Sequence, residues 1–364
     1  MKSIILPKNL LIAILTLSFI SASNAQEIPH RHTNVILMIG DGMGVTQVYA
    51  GLTMNHGSLN LEQFKSIGFS KTQSASDYIT DSGAGGTAIS IGQKTFNGAI
   101  GVDSDSVPQK TILEYAEENG MATGLVVTSS ITDATPAAFI SHQTSRYNLD
   151  NIALDFLKTD IEVFIGGGRM NFTGRKDSIN LLDSLRQRGY QVMFSMDSIR
   201  NVKTGKLAGL TADAHNPTFN AGRGDMLPVA TEVAINILKN NENGFFVMIE
   251  GSHIDKQAHV KNTSDVANEM IDFDNTIGKV LEFARKDGNT LVVVTADHET
   301  GGMNLTDGDF NTGSVTAEFN STGNHTGVMV PVFAFGPGAE KFQGIQENSD
   351  LFYKLMSVLD ISPE

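Results

Sequence analysis

The chain has 364 residues, 40% of them hydrophobic and 18% charged, enough for one large buried core or two smaller ones. Its 26 basic residues stand against 40 acidic ones, a formal net charge of −14, which argues against the basic surface that nucleic-acid binding needs. There is no cysteine, so disulfides and thiolate metal sites are excluded, and any metal must be held by histidine, carboxylate or hydroxyl groups.

Residues 1–25 read as a secretory signal peptide. Lys2 and Lys8 precede an apolar run over 10–20, and Ser23-Asn24-Ala25 is a small-residue cleavage site. The run is short for a bilayer, which disfavours an uncleaved anchor. Losing both lysines leaves 24 basic residues against 40 acidic ones, a net charge of −16. The mature chain, 26–364, is expected to be exported, periplasmic or secreted, and to have no further membrane segment.

His30 and His32 lie in a polar lead and read as solvated. Residues 35–39 form a continuous apolar run, the mark of a strand buried on both faces, ending in Gly40-Asp41-Gly42-Met43-Gly44. In the stretch 80–90, Ser82 follows Asp81 and precedes a run of small residues. Ser82 reads as the N-cap of a helix whose free N–H groups suit an anion. A helix is predicted over 111–119, a strand over 124–128, and a strand over 163–165 running into a turn at Gly166-Gly167-Gly168. An amphipathic helix over 178–188 closes at Gly189, and 191–194 is a short strand. Arg223-Gly224-Asp225 reads as an exposed turn. Then come a helix over 227–238, a buried strand over 245–249 ending at Glu250, and a long helix over 266–283. A strand over 291–295 ends at Ala296-Asp297-His298, and a strand over 330–335 and a helix over 350–359 close the chain. Residues 302–324 are polar, without a period, and read as a loop or small excursion, a candidate lid or partner surface. The alternation predicts one α/β domain around a mostly parallel sheet.

Open α/β sheets bind ligands beyond the carboxyl ends of their strands. Asp41, Asp133 with Thr135, Glu250, and the pair Asp297-His298 all lie just past predicted strands. Four such groups at one rim would repel strongly unless cations sat among them. Asp255 and His259 are four apart, a spacing that puts both on one face of a helix and suits a metal, although a surface helix can carry the same pair by chance. His325 precedes the last strand. His56 and His215 have no partner in sequence and read as structural or solvated, His142 reads as scaffold around Arg146, and His253 sits beside the site without a role.

Seven motifs run in order through the mature chain: I-G-D-G-M-G at 39–44, T-D-S-G-A-G-G-T at 80–87, D-A-T-P-A-A at 133–138, T-S-R at 144–146, E-G-S-H-I-D-K-Q-A-H at 250–259, T-A-D-H at 295–298 and H-T-G at 325–327. In this order the chain resembles the bacterial alkaline phosphatases, metal-dependent phosphomonoesterases. The resemblance implies a three-layer α/β/α sandwich with a central, mostly parallel mixed sheet. It implies two zinc ions, one held by Asp255, His259 and His325 and the other by Asp41, Asp297 and His298, and one magnesium ion held by Asp41, Thr135 and Glu250. Ser82 would be the nucleophile, forming a phosphoserine intermediate, and Arg146 the phosphate clamp, oriented by Asp81. Asp133 and Lys256 would link magnesium to phosphate, a pairing that by analogy favours tight phosphate binding and a modest pH optimum. The substrates would be small-molecule phosphate monoesters. Relatives are commonly homodimers, an expectation the sequence carries without fixing it.

The stretch between Gly302 and His325 is short beside the crown insertions of larger relatives. A sulfatase of the same superfamily would need C/S-x-P-x-R, and Ser106-Val107-Pro108-Gln109-Lys110 ends in lysine. A phosphodiesterase is disfavoured by the implied magnesium site and Arg146, and a non-catalytic binding protein by Ser82 and the complete ligand set.

Overall fold

The computed structural model of the protein describes Met1 and residues 32–363. The signal-peptide reading and His30 lie outside the described residues. Among the described residues fourteen strands form in chain order: β1 (Asn34–Gly40), β2 (Ser66–Lys71), β3 (Ala122–Ser130), β4 (Val163–Gly167), β5 (Gln191–Met193), β6 (Leu207–Leu210), β7 (Phe245–Gly251), β8 (Thr290–Thr295), β9 (Glu299–Thr300), β10 (Met303–Asp309), β11 (Ser314–Phe319), β12 (His325–Thr326), β13 (Val330–Phe335) and β14 (Gly344–Glu347). Ten of them make one sheet in the order β14-β2-β13-β8-β1-β7-β3-β4-β6-β5. Within it β13 runs antiparallel to both its neighbours, and the other pairs are parallel.

The apolar runs behave as a doubly covered sheet requires. Val35, Leu37 and Ile39 of β1 enter one core cluster, with the helices Ile112–Glu118 and Asp350–Leu359. Ile36 and Met38 point the other way, into a second cluster with the helices Met226–Leu238 and Thr263–Asp287. These are the three α/β/α layers. In β1's parallel pairing Gly40 lies opposite Gly251 of β7, and Ile39 opposite Thr295 of β8, so three strands deliver their carboxyl ends to one rim. Arg31–Glu364 forms one compact unit. Among the described residues no helix is long and apolar enough to cross a membrane.

The structure corrects several local readings. Gly166 and Gly167 are not a turn but the end of β4. A Cβ would lie 2.7 Å from Val127 Cγ2 at the first and 2.0 Å from the Ala214 carbonyl oxygen at the second, so close approach fixes both glycines. The helix expected over 178–188 starts at Leu181, because Asn180 caps it by accepting from the Leu182 N–H. Residues 302–324 are largely a β-hairpin, β10 with β11. The alternation in S-V-T-A-E-F turns Val315, Ala317 and Phe319 towards the second core cluster, and the hairpin packs on the helix Val45–Met54. His32 is not solvated: its Nδ1 lies 2.5 Å from the Leu359 carbonyl oxygen. Arg223 is buried, its guanidinium bound to Glu269 and to Asp272 (2.8 Å) on the helix Thr263–Asp287, so the tripeptide at 223–225 is not simply an exposed turn.

Candidate active site

Asp81, not Ser82, caps the helix Ser82–Ile91. Its Oδ1 accepts from the Ala84 N–H at 3.0 Å and the Gly98 N–H at 2.9 Å. Ser82 therefore occupies the first helical position with its hydroxyl free of capping duty. It is buried, and its Oγ lies 3.1 Å from His298 Nε2. A Cβ on Gly85 would sit 3.0 Å from the Asp297 carbonyl oxygen, which is why the helix can press this closely on the rim.

Two groups of metal-ligating side chains converge beside Ser82: Asp255, His259 and His325, and Asp41, Asp297 and His298. In each group the candidate ligand atoms lie within 4.8 Å of one another. The hydrogen bonds set the tautomers. His325 Nδ1 faces the Thr80 carbonyl oxygen at 2.9 Å and His259 Nδ1 faces that of Gly323, so each Nδ1 carries its hydrogen and each Nε2 presents a lone pair. The two Nε2 atoms are 3.2 Å apart, and they lie 3.2 and 3.6 Å from Asp255 Oδ1. In the second group His298 Nε2 lies 3.2 Å from Asp297 Oδ2 and 3.6 Å from Asp41 Oδ1. Converging acceptors with no donor between them are what a cation site looks like from the protein side.

Electrostatics give the same answer. Asp41 Oδ1, Glu250 Oε2 and Asp297 Oδ2 are buried without a hydrogen-bond partner. Burial, then the charges of Asp255, Asp297 and Glu250, push the Asp41 carboxyl well above the usual carboxylate range. Burial and Asp133 push Glu250 up to about 8, and burial and Asp255 push Asp297 up to about 6. These carboxyls cannot all ionise near neutrality unless positive charge is supplied, so the residues present fit divalent cations. Glu250 shares its strand face with Met248 and Phe246, in the first core cluster. Thr135 is buried on the short helix Ala134–Ala137, capped by Asp133, whose Ala134 and Ala137 belong to that cluster too.

On the other side of Ser82, Arg146 Nη1 binds Asp81 Oδ2 at 3.0 Å and its Nη2 lies 3.5 Å from Asp133 Oδ1. Lys256 Nζ binds Asp133 Oδ2 at 2.9 Å. Burial alone would raise the Asp133 carboxyl, but Lys256 and Arg146 outweigh it and hold it well below the usual range. The pull is mutual: burial works against the charge of Arg146 and of Lys256, yet Asp133 keeps both firmly protonated. All thirteen side chains singled out in the sequence thus lie at or beside one rim.

The family model described as alkaline phosphatase matches residues 32–322. The chain belongs to the alkaline phosphatase family. Its activity is the hydrolysis of phosphate monoesters, and the family is metal-dependent. Alkaline phosphatase 4 of Bacillus subtilis is 35% identical, the match covering 87% of this chain and 86% of the relative. The Escherichia coli alkaline phosphatase is 33% identical, over 90% and 86%. Each alignment, 400 and 405 positions, exceeds the 364 residues of this chain, so both relatives carry segments absent here. Among solved structures, the alkaline phosphatase of the Antarctic bacterium TAB5 is 42% identical with a TM-score of 0.85, covering 92% of this chain and all of the other. A His-to-Asp variant of that enzyme, with Mg bound in the M3 site, matches equally well.

Sequence reasoning missed two residues of the site. Thr300 is buried, its Oγ1 2.5 Å from Asp255 Oδ1 and 3.2 Å from His298 Nδ1. Its hydrogen serves the carboxylate, so His298 Nδ1–H donates to Oγ1 and the Nε2 lone pair is turned towards Ser82. Only its place two residues after His298 hinted at this. His215, read as structural or solvated, lies at the site: its Nδ1 accepts from the Ser130 N–H at 3.1 Å and stands 3.8 Å from Asp133 Oδ2. No local pattern marks it, because β6 and the loop after it bring it there. His142 pairs with Glu114 at 2.9 Å and the Gly101 carbonyl at 2.7 Å, bracing that loop and not Arg146 directly. His56 Nδ1 meets the Phe310 carbonyl at the hairpin. His253 is buried behind the site, where burial and then Arg223 push its imidazole down to about 3 and keep it neutral. Ser106 is exposed, and Pro108, Gln109 and Lys110 line a surface groove with Glu114 and His142, so the sulfatase-like stretch lies outside the rim.

Proposed function

We propose that this alkaline phosphatase works through a phosphoserine at Ser82, with two zinc ions and one magnesium ion at the rim. Asp255, His259 and His325 would hold one zinc; Asp41, Asp297 and His298 would hold the other; Asp41, Thr135 and Glu250 would hold magnesium. Bound there, the cations would neutralise the phosphate dianion and polarise its oxygens. The observation that carries the reading is the convergence of unprotonated Nε2 atoms and buried carboxylates beside the Ser82 hydroxyl, 3.1 Å from His298 Nε2.

The chain's own residues do the rest. Arg146 grips two phosphoryl oxygens with its planar fork, and Asp81 holds that fork in place from the helix cap. The same cap aims the first N–H groups of the helix Ser82–Ile91 at the phosphate. Ser82 Oγ attacks phosphorus in line, the alcohol leaves, and water then frees phosphate and restores the serine. Asp133 keeps Lys256 charged and directed at the site. Residues 1–25 act as an export signal, and 26–364 as a single domain working outside the cytoplasm.

The test is hydrolysis of an aryl phosphate monoester, a diester and a sulfate, repeated after chelation and after restoring zinc plus magnesium. Monoester turnover should dominate, vanish on chelation and return with both metals. Full activity in the stripped protein, or in Ser82→Ala, would refute the mechanism.

A further inference from the structure

A cavity of about 530 Å³ opens beside Arg146 and His259, and its far wall, His215 apart, lies outside the machinery described above. Three apolar side chains stand exposed on that wall: Tyr147 (82%), Leu149 (38%) and Met170 (51%). Apolar groups clustered in water at the mouth of a polar site are costly unless something covers them. Three polar side chains face the same space. His215 uses Nδ1 to accept from the Ser130 N–H, so its Nε2 carries the hydrogen and is a donor. Asn171 spends its Nδ2 on Thr132 Oγ1 at 2.5 Å, which leaves Oδ1 as an acceptor. Asp213 gives Oδ1 to Arg169 at 2.8 Å and keeps Oδ2.

We propose that this wall is a leaving-group subsite for an alcohol of nucleoside size, with a planar base against Tyr147, Leu149 and Met170 and sugar hydroxyls on His215, Asn171 and Asp213. One donor and two acceptors complement hydroxyls, which both donate and accept. The planar apolar partner follows from the aromatic ring, and the length follows from the volume, which a phenyl or glycerol group underfills. The proposal rests on the reading of Arg146 as the phosphate clamp, since the clamp fixes where the ester oxygen emerges.

The metal-loaded enzyme is assayed with adenosine 5′-monophosphate, phenyl phosphate and glycerol 3-phosphate. The nucleotide should have a kcat/KM roughly tenfold above glycerol phosphate. Tyr147→Ala should cut that preference about tenfold, chiefly through KM, and Asn171→Ala about fivefold. Adenosine should also bind the wild-type protein in a calorimetric titration, and bind Tyr147→Ala more weakly. Equal rates on the nucleotide and glycerol phosphate, or variants that slow all three substrates alike, would overturn the subsite. A lower KM for phenyl phosphate than for the nucleotide would also overturn it, by reducing the wall to a ring-sized shelf. No turnover of any monoester with metals restored would instead overturn the phosphoserine reading, and the adenosine titration would still report on the subsite.

Discussion

Replacing Thr300 by valine removes two hydrogen bonds and almost no volume. Its Oγ1 donates to Asp255 Oδ1 at 2.5 Å and accepts from His298 Nδ1 at 3.2 Å, in a fully buried position. A buried hydrogen bond to a carboxylate contributes about 1.5–3 kcal/mol, and losing it leaves Asp255 less firmly oriented. His298 loses the acceptor that fixes its tautomer, so its hydrogen can move to Nε2, where Asp41 and Asp297 attract it. Both metal groups are touched by one side chain, and every ~1.4 kcal/mol is tenfold in binding, so zinc affinity should fall roughly 10- to 100-fold. Competition with a chromophoric chelator measures that affinity directly. Turnover at saturating zinc should fall much less than affinity does, and Thr300→Ser should recover most of both. A valine variant that binds zinc as tightly as wild type would refute the reasoning, as would a serine variant no better than valine.

Three further outcomes follow from the same geometry. Arg146→Ala should raise the inhibition constant for inorganic phosphate by about 10- to 100-fold, the loss of a bidentate charged contact, while zinc content stays at the wild-type level; wild-type phosphate inhibition would end the clamp role. In the metal-free protein Glu250 and Asp297 titrate near 8 and 6, above their unfolded values, so the folded state holds protons the unfolded chain has released. Below about pH 7 the depressed imidazoles of His253 and His298 work the other way, because the unfolded chain takes up protons there that the folded one refuses. From about pH 7 to 8.5 Glu250 dominates, so stability of the stripped protein should fall and the Tm gap between loaded and stripped protein should widen over that window. The depressed carboxyls of Asp133 and Asp255 have already given their full contribution by pH 5, so they do not change the sign, and a gap that narrows over that window would contradict the scheme. Arg223→Ala leaves Glu269 and Asp272 buried without their cation and should cost about 3–5 kcal/mol in urea denaturation; a loss under 1 kcal/mol would show that the pair carries little.

Strand-end chemistry was legible in the sequence because it needs only two local facts, an apolar run and the polar residue that ends it. Asp41, Glu250 and the Asp297-His298 pair were found that way, and Asp255 with His259 by helical spacing. The strands β2, β6 and β14 were not legible. β6 and β14 are short, and β2 alternates with the wrong residues inside: Gly68 and Ser70 are buried while Ile67 and Phe69 are exposed. The hairpin β10–β11 carried its alternation in plain view, but its many polar residues masked a two-residue period. Ser82 was assigned to the cap because serine is a common cap, yet aspartate is as good a cap and stood one position earlier. His215 and Thr300 act through partners 85 residues and 45 residues away, at Ser130 and Asp255, and no window of local sequence contains such a pair.

The site belongs to neither helical layer alone. Ile89, behind Ser82, and Ala134 and Ala137, on either side of Thr135, pack in the first core cluster; Ile254 and Ala258, flanking Asp255 and Lys256, pack in the second. Only the edge of the sheet touches both. Register therefore decides whether the two halves meet. Glu250 lies opposite Ile39 of β1 and Val127 of β3, and it shares a face with Met248. Because side chains alternate, a slip of one residue in β7 would turn Glu250 towards the second layer, away from Thr135, and would put Met248 with it. The long apolar runs that hold β7 between β1 and β3 are thus part of the catalytic design. They fix the register that lets carboxylates from separate strands crowd into one place, and that crowding is what calls for the cations.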